Sequence, residues 1–398
     1  MEENRSQFWS RFNGNKLSFI GLIIIIISFI VALLGYLIVP DSTPFSNKQI
    51  LSIAAKPPMF HVMMVKINQN QITAKQSVFN TMIFGQKDNY KYIPIDTFRF
   101  EGDDLIIKEY SNSGKDETFE TKMSLINVVY AINPMFPITK TGNDKYSFTS
   151  ISGLKIKVSK AELLNKITKN QIFRKTYLLG TDRFGRDMLS RLMIGARVSF
   201  SVGFISVIIS LLIGITLGVS AGYFRGKTDT IISWLVNVVW SVPTLLMVLS
   251  ITLVLGKGFW QVFLAVGLTM WVEVARVVRG QVLVLREKEF IEAAKALGYS
   301  NLRILAIHIV PNVIGPIVII SAANFASAIL MEAGLSFLGI GVQPPIPSWG
   351  NMIKDHYGYI ILDQPYLAIF PGLAIMLLVL AFNFLGNGLR DAFDTRMN

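Results

Sequence analysis

Leu17-Ser-Phe-Ile-Gly-Leu-Ile-Ile-Ile-Ile-Ile-Ser-Phe-Ile-Val-Ala-Leu-Leu-Gly-Tyr-Leu-Ile-Val39 is a run of 23 residues without a charged side chain. At 1.5 Å per residue, a helix of this length covers a hydrocarbon layer roughly 30 Å thick. The run is too long for the apolar core of a secretory signal, and Pro40-Asp41-Ser42-Thr43 is not a small-x-small cleavage site. It reads as an anchor that stays. Further uncharged runs follow at Val198–Ala221, Ile231–Leu255, Ile309–Leu330 and Tyr366–Leu385. A weaker one, Gly258–Ala275, carries Glu273 near its end. Six spans are expected, which puts both termini on one side of the membrane.

Composition agrees with a membrane protein. Of 398 residues, 52% are hydrophobic and only 16% charged, well short of the quarter usual in soluble domains. The mean hydropathy of +0.47 excludes intrinsic disorder. With no cysteine there is no disulfide, thiol chemistry or cysteine-bound metal. Only His61, His308 and His356 are present, far apart in sequence, so a histidine metal cluster is not expected.

Lys and Arg set the orientation. With the N-terminus inside, the inner segments hold Arg5, Arg11, Lys16, Arg225, Lys227, Arg276, Arg279, Arg286, Lys288, Lys295, Arg303, Arg390 and Arg396. The short outer loops hold Lys257 and Lys354. Both termini are therefore expected in the cytosol. The net charge of +12 divides into about +4 inside and +8 outside. The excess belongs to the outer segments, with Arg183, Arg186, Arg191 and Arg197 crowded at the outer end of the second span, and it does not call for a nucleic-acid partner.

Between the first two spans lies a polar stretch of about 140 residues, too long for a connecting loop. Thr97–Phe100, Leu105–Tyr110 and Thr118–Tyr130, separated by Glu101-Gly-Asp-Asp104 and Ser111-Asn-Ser-Gly114, predict a β-meander. Tyr146–Ile151 and Leu154–Val158 resemble a hairpin, and Ser159-Lys-Ala-Glu162 fits a capping box. The expected fold is thus a six-helix, all-α polytopic membrane protein with a small external α+β domain inserted between helices 1 and 2. No clustered acids or histidines mark an active site there, and a domain serving contact or stability is the plainer reading.

Gly222-Tyr-Phe-Arg-Gly226-Lys227-Thr228 superficially looks like a phosphate-binding loop. It has three residues between its glycines where the motif needs four, and no strand precedes it. Lys227 reads as an inner-surface anchor. Ser206, Ser210, Gly214, Gly218 and Gly222 recur every fourth residue, which lines small side chains along one helix face for close packing. Asn312, Ser321, Asn324 and Ser327 place polar groups in the fifth span, Asn383 and Asn387 lie near the inner end of the sixth, and Glu332 lies at the outer end of the fifth. A carboxylate there is costly unless it faces a bundle interior or water, so Asn324 and Glu332 are gate or path candidates. A position at the interface would equally satisfy Glu332. Pro243, Pro311 and Pro316 interrupt helix hydrogen bonding, through a kink or through packing alone.

Between the fourth and fifth spans, Glu289-Phe-Ile-Glu292-Ala293-Ala294-Lys-Ala-Leu297 predicts a short helix with Gly298 as its left-handed cap. Ser300 or Asn301 then opens a second helix toward Pro311. A small apolar centre with charged ends suits a rigid knob in a partner's groove. An amphipathic helix on lipid headgroups is the alternative.

Glu-Ala-Ala, three residues, Gly298, and a proline thirteen residues on resembles the coupling-loop signature of ABC-importer permeases. Leu179-Gly-Thr-Asp182-Arg-Phe-Gly185-Arg186-Asp187-Met-Leu-Ser-Arg191, with Gly195-Ala-Arg197, resembles the external segment leading into span two in the dipeptide/oligopeptide/nickel permeases of the C-subunit type. Leu335–Pro345, followed by Ser348–Met352, and Asn383–Asp391 resemble that family's outer loop and tail. The resemblance covers residues 1–40 and 175–398.

It implies the MetI-like transmembrane fold and a permease subunit in the inner membrane, with 1–40 as the first span, 41–178 as the external insertion, and 179–398 as helices 2–6 with a cytosolic loop at 277–308. By resemblance, Glu292, Ala293, Ala294, Leu297, Gly298 and Tyr299 form the coupling surface. The partners would be a homologous second permease, two cytosolic ATPases that carry the nucleotide sites, an external substrate-binding protein and the lipid bilayer. No cofactor is expected on this chain, and peptides are the expected cargo. Two features depart from the family: the long first external stretch, and Trp271-Val-Glu273-Val-Ala-Arg276, where an aromatic usually stands. Glu273 is expected to pair with Arg276 or Arg279. Arg183, Arg186 and Arg191 are expected to lie along the outer surface, paired with Asp182 and Asp187. A mechanotransmission permease, signalling to an external partner without transport, is the alternative.

Overall fold

The computed structural model describes residues 9–393 apart from 10, 13, 72–75, 112–119 and 142–143. Arg5, Arg396, most of the Ser111–Gly114 turn and Thr118 therefore lie outside the described residues. The chain divides into two compact units: residues 1–32, 195–357 and 368–398, and residues 33–194 with 358–367.

The first unit is helical. Five helices are long and apolar enough to cross a membrane: α1 (Lys16–Ile38), α5 (Met188–Phe224), α8 (Phe259–Leu285), the stretch Asn301–Phe337 and α13 (Tyr366–Phe393). A sixth arises if α6 (Gly226–Trp240) and α7 (Thr244–Leu255) count as one broken span, bent by 89°. Of the two readings of Pro243 in the run Ile231–Leu255, the kink is the one observed. Pro243 has no N–H to continue α6 and restricts Val242 before it, so the chain turns there and restarts.

Pro311 acts in a gentler way. The stretch starts as α10 (Asn301–Ile304), widens through a π-turn at Leu305–Ile309, tightens to a 3-10 turn at Val310–Val313, and becomes α11 (Ile314–Phe337). A short helix α9 (Glu289–Ala296) precedes α10, and α12 (Trp349–His356) follows α11.

Small residues set a close helix contact in this unit. A Cβ on Gly214 would meet Val274 Cβ at 2.5 Å; on Gly218, the Ala275 carbonyl at 2.6 Å; on Gly222, Val282 Cβ at 2.7 Å. Toward the N-terminal end of α5 on the same seam, Ser206 Oγ donates to the Phe263 carbonyl at 3.1 Å. Helix α5 therefore lies backbone-close along α8, because no side chain intervenes. In the same manner Gly21 of α1 backs onto Ala381 of α13, and Ser18 Oγ donates to the Phe384 carbonyl at 2.8 Å.

The second unit holds two antiparallel sheets. The five-stranded sheet has the order β4-β3-β2-β1-β8, with β1 (Phe60–Asn68), β2 (Tyr90–Glu101), β3 (Asp104–Glu109), β4 (Glu120–Ser124) and β8 (Ile172–Tyr177). The smaller sheet is β5 (Thr139–Thr141), β6 (Lys145–Thr149) and β7 (Lys155–Ser159). The meander follows the sequence pattern through β2 and β3, which turn at Gly102 with φ +59°. It departs from that pattern after Ser124, where α3 (Leu125–Val129) replaces the expected continuing strand. Leu125, Ile126, Val128 and Val129 are all buried, whereas a strand would turn alternate side chains outward. Ile95, Leu105 and Ile107 close on α3 and on Leu163 of α4 (Lys160–Lys166), and Ser159 Oγ accepts from the Glu162 N–H at 3.2 Å to cap α4. A further short helix, α2 (Val78–Phe84), buries none of its side chains.

Candidate functional site

The segment between α8 and α11 is where charge, apolar anchoring and a free face meet. Helix α9 begins with Glu289 and Glu292 in its first turn and ends with Lys295, so its charges complement the helix dipole. Its end is a Schellman cap: the Tyr299 N–H donates to the Ala294 carbonyl at 3.1 Å and the Gly298 N–H to the Lys295 carbonyl at 2.9 Å. Gly298 has φ +76°, a conformation costly for residues with a Cβ. Ile291 and Ala294 point inward, into a cluster with Val219, Val278, Val282, Ile304 and Val313. On the opposite side, Glu292, Ala293 and Lys295 are exposed, as is Leu297 at 72%. The Ala293-Ala294 pair is thereby divided: one alanine faces out and the other anchors.

Tyr223, at the C-terminal end of α5, ties this loop to the long helices. Its hydroxyl donates to Asn301 Oδ1 at 2.9 Å, and its carbonyl accepts from Arg286 at 2.5 Å. Arg225 pairs with Glu287 at 2.5 Å. Tyr299 stacks on His308, and Arg303 lies 4.3 Å over the Tyr299 ring. Sequence reasoning does not single out Tyr223, Ile291, Arg286 or His308 for this site. Tyr223 sits inside the Gly222–Thr228 stretch, where the failed phosphate-loop comparison conceals its position at a helix end beside the loop.

The segment before α5 is a buried polar staple. Asp182 Oδ1 accepts from the Phe184 and Arg186 N–H groups, each at 2.9 Å, and Oδ2 lies 2.6 Å from Arg186 Nε and 3.5 Å from Arg191 Nε. Arg186 also donates to Asn47 Oδ1 at 2.9 Å. Gly185, at φ +69°, is backed against the Ile50 carbonyl, where a Cβ would collide. Asp187 immediately precedes α5. It caps α5 by accepting from the Ser190 N–H at 2.7 Å and Oγ at 2.6 Å. The Ser190 hydroxyl in turn accepts from the Asp41 N–H at 2.9 Å.

Asn324 and Glu332, the candidate gate residues, are each 1% exposed within this chain. Glu332 Oε1 accepts from Ser336 Oγ at 2.7 Å. The expected partners of Glu273 are both engaged elsewhere: Arg279 holds Asp229 through two contacts of 2.5 and 2.8 Å, and Arg276 lies 3.4 Å over the Trp240 ring. Among the described residues no group of three or more His, Asp or Glu side chains is placed to hold a metal.

Two family matches bear on this arrangement. Residues 214–398, which contain the whole of the loop described above, match the binding-protein-dependent transport system inner membrane component. Residues 5–58 match the N-terminal membrane domain of oligopeptide transport permease C. A dipeptide transport system permease protein of Alkalihalophilus pseudofirmus is 43% identical over 218 residues, covering 55% of this chain and 71% of that one. The chain belongs to the binding-protein-dependent transport permeases. Glutathione transport system permease proteins of Pectobacterium atrosepticum and Escherichia coli are each 41% identical over 55% of this chain and 72% of theirs. A methionine ABC transporter, MetNI, solved in inward-facing conformations, has 19% identity and a TM-score of 0.44 over 52% of this chain and 98% of that one. This family member is a multi-pass membrane permease subunit of an ATP-driven importer and not an enzyme; ATP hydrolysis in such importers resides on separate subunits. Neither family match reaches residues 59–213, where the two sheets lie.

Proposed function

We propose that this chain imports peptides as half of a translocation path completed by a homologous permease, with two cytosolic ATPases beneath and a substrate-binding protein outside. The peptide reading is supported by the dipeptide and glutathione permeases that share over two-fifths of the aligned residues. Counting α6 and α7 as one broken span gives six spans, with both termini and α9 on the cytosolic side and residues 41–178 outside as an inserted α+β domain. The relatives are transporters by name, which leaves the signalling alternative without support.

The observation that carries the coupling role is the two-faced construction of α9. Ile291 and Ala294 fix it to its own chain, while Glu292, Ala293 and Leu297 present an exposed face among the described residues. A lever that transmits force needs both a rigid root and a free contact surface. ATP-driven closure of the ATPases would move this knob, and it biases transport only insofar as ATP favours one arrangement of the spans over the other. Within this reading the Asp182–Asp187 staple holds the external start of α5, and Gly214, Gly218 and Gly222 let α5 and α8 move as one body.

Glu292→Lys and Gly298→Trp test it in the assembled complex. Both should abolish ATP-dependent peptide uptake while the chain still inserts in the membrane. Undiminished uptake by both would refute the coupling role of α9.

A further inference from the structure

Helix α8 is two-thirds buried over its most apolar window, yet Glu273, at its middle, is exposed on this chain. Gly280 and Val284 are exposed on the same side, about two and three helical turns further in. A carboxylate at this depth is expensive against lipid and is retained where it faces water or an opposite charge. Among the described residues nothing pairs with it. Arg279 is engaged by Asp229, and Arg276, one turn away, lies over the Trp240 ring.

Glu273 lines a cavity of about 90 Å³ formed where the α6–α7 bend meets α8 and α11. Its walls include Trp240, Met247, Met270, Ser327 and Met331. Three methionines give an adaptable apolar wall, suited to occupants of varying shape more than to one fixed partner residue. A single fixed carboxylate in such a wall selects for positive charge at one point and leaves the remainder of the occupant unspecified.

We propose that Glu273 and this cavity form a transit site in which the carboxylate holds an ammonium group of the peptide cargo. The proposal rests on the peptide reading above for its substrate. The ammonium has two sources in a peptide, the chain terminus and a lysine side chain.

The test uses the absence of cysteine from this chain. Ser327→Cys is introduced into the assembled complex, with any accessible cysteine of the other subunits replaced by serine, and labelling by a water-soluble thiol reagent is timed. Ala-Ala-Ala, Ala-Lys-Ala and N-acetyl-Ala-Lys-Ala are compared as protectants. A bound ammonium should slow labelling by about tenfold, and adding Glu273→Gln should remove that protection. Protection by the first two alone assigns the terminal ammonium; protection by the two lysine peptides alone assigns the side chain. Three outcomes overturn the site: no labelling of the introduced thiol, equal labelling with and without every peptide, or protection that survives Glu273→Gln. A complex that loses its second permease on Glu273→Lys substitution also overturns it, by showing that the carboxylate meets a basic residue of that subunit. ATP-dependent uptake of the same peptides by the wild-type complex is measured separately, so a failure of the peptide reading is seen independently of the labelling result.

Discussion

Arg186 Nε lies 2.6 Å from Asp182 Oδ2, and the two side chains are 6% and 0% exposed. Arg191 shares the same oxygen at 3.5 Å. Asp182 thus balances two guanidinium groups while its other oxygen accepts two backbone N–H groups. Asp182→Asn keeps the shape but presents an amide to Arg186, donor against donor, and leaves the arginine charges without their anion. Removing one partner of a buried pair costs about 3 to 5 kcal/mol. The expected result is a detergent-solubilised chain whose thermal midpoint falls by several degrees, with Asp182→Glu recovering part of the loss.

The α5–α8 seam predicts a graded response to added volume. Gly218→Ala brings a Cβ to 2.6 Å from a carbonyl and 2.9 Å from Val278 Cβ, and Gly218→Val adds two methyls to the same collision. Overpacking of this kind costs about 1 to 3 kcal/mol, and the valine should lie at the upper end. Gly280, on the exposed side of α8, has nothing within 4 Å of the place a Cβ would occupy, so Gly280→Ala should be neutral or slightly stabilising. Unfolding in a denaturing detergent series, read by tryptophan fluorescence, ranks the three variants.

Hydropathy and spacing make much of this legible. Uncharged runs locate the spans, and a small residue at every fourth place locates the α5 face, because burial in lipid and backbone approach both leave period signatures. Pro243 announces a break but not its 89° angle, since a missing N–H says where a helix ends and not how the next one leaves. The phase of α9 is also hidden: Ala293 and Ala294 are chemically identical, and only the packing of Ile291 determines which one faces inward. Long-range pairing is least readable. The partner of Arg279 is Asp229, 50 residues away on a different helix, while the acid nearer in sequence, Glu273, is left to line the cavity. Strand β1 escapes a sequence reading because Met64 and Val65 are both buried, so it lacks a clean alternation, and β8 pairs with β1 across more than a hundred residues of chain.

In the inserted unit, Asp103 gives a pH dependence with a definite sign. Lys140 donates to its carboxylate at 2.8 Å and Tyr146 donates to the other oxygen, which holds the Asp103 pKa down at about 2. An unfolded aspartate titrates near 4. With the folded value depressed, the interaction stabilises fully above about pH 4 and is lost as pH falls toward 2. Because the side chain is 40% exposed, solvent and salt screen the effect, and the shift in midpoint should be a few degrees at most. Thermal midpoints of the wild-type chain at pH 5, 3 and 2 should fall more steeply than those of Asp103→Asn, and the difference should shrink in high salt. Parallel curves would show that Asp103 contributes nothing.

The two faces of α9 should separate folding from coupling. Ile291 is fully buried among Val278, Val282 and Ile304, so Ile291→Ala leaves a cavity where the helix is rooted. A truncation of this kind costs about 2 to 5 kcal/mol, and it should lower the thermal midpoint of the chain on its own. Leu297 is 72% exposed, so it buries little within this chain and Leu297→Asp should leave that midpoint unchanged. If the free face seats in an ATPase groove, the same Leu297→Asp should place an unpaired carboxylate in an apolar contact and weaken association of the ATPase subunits by at least tenfold, since burying a charge without a partner costs more than about 1.4 kcal/mol. Co-purification of the ATPases with each variant, beside the midpoint of the isolated permease chain, gives the two readouts. Lipid headgroups against this face would instead leave co-purification intact with Leu297→Asp and reduce only the membrane affinity of the loop. Loss of ATPase binding without loss of stability is therefore the result that distinguishes a lever from a surface helix.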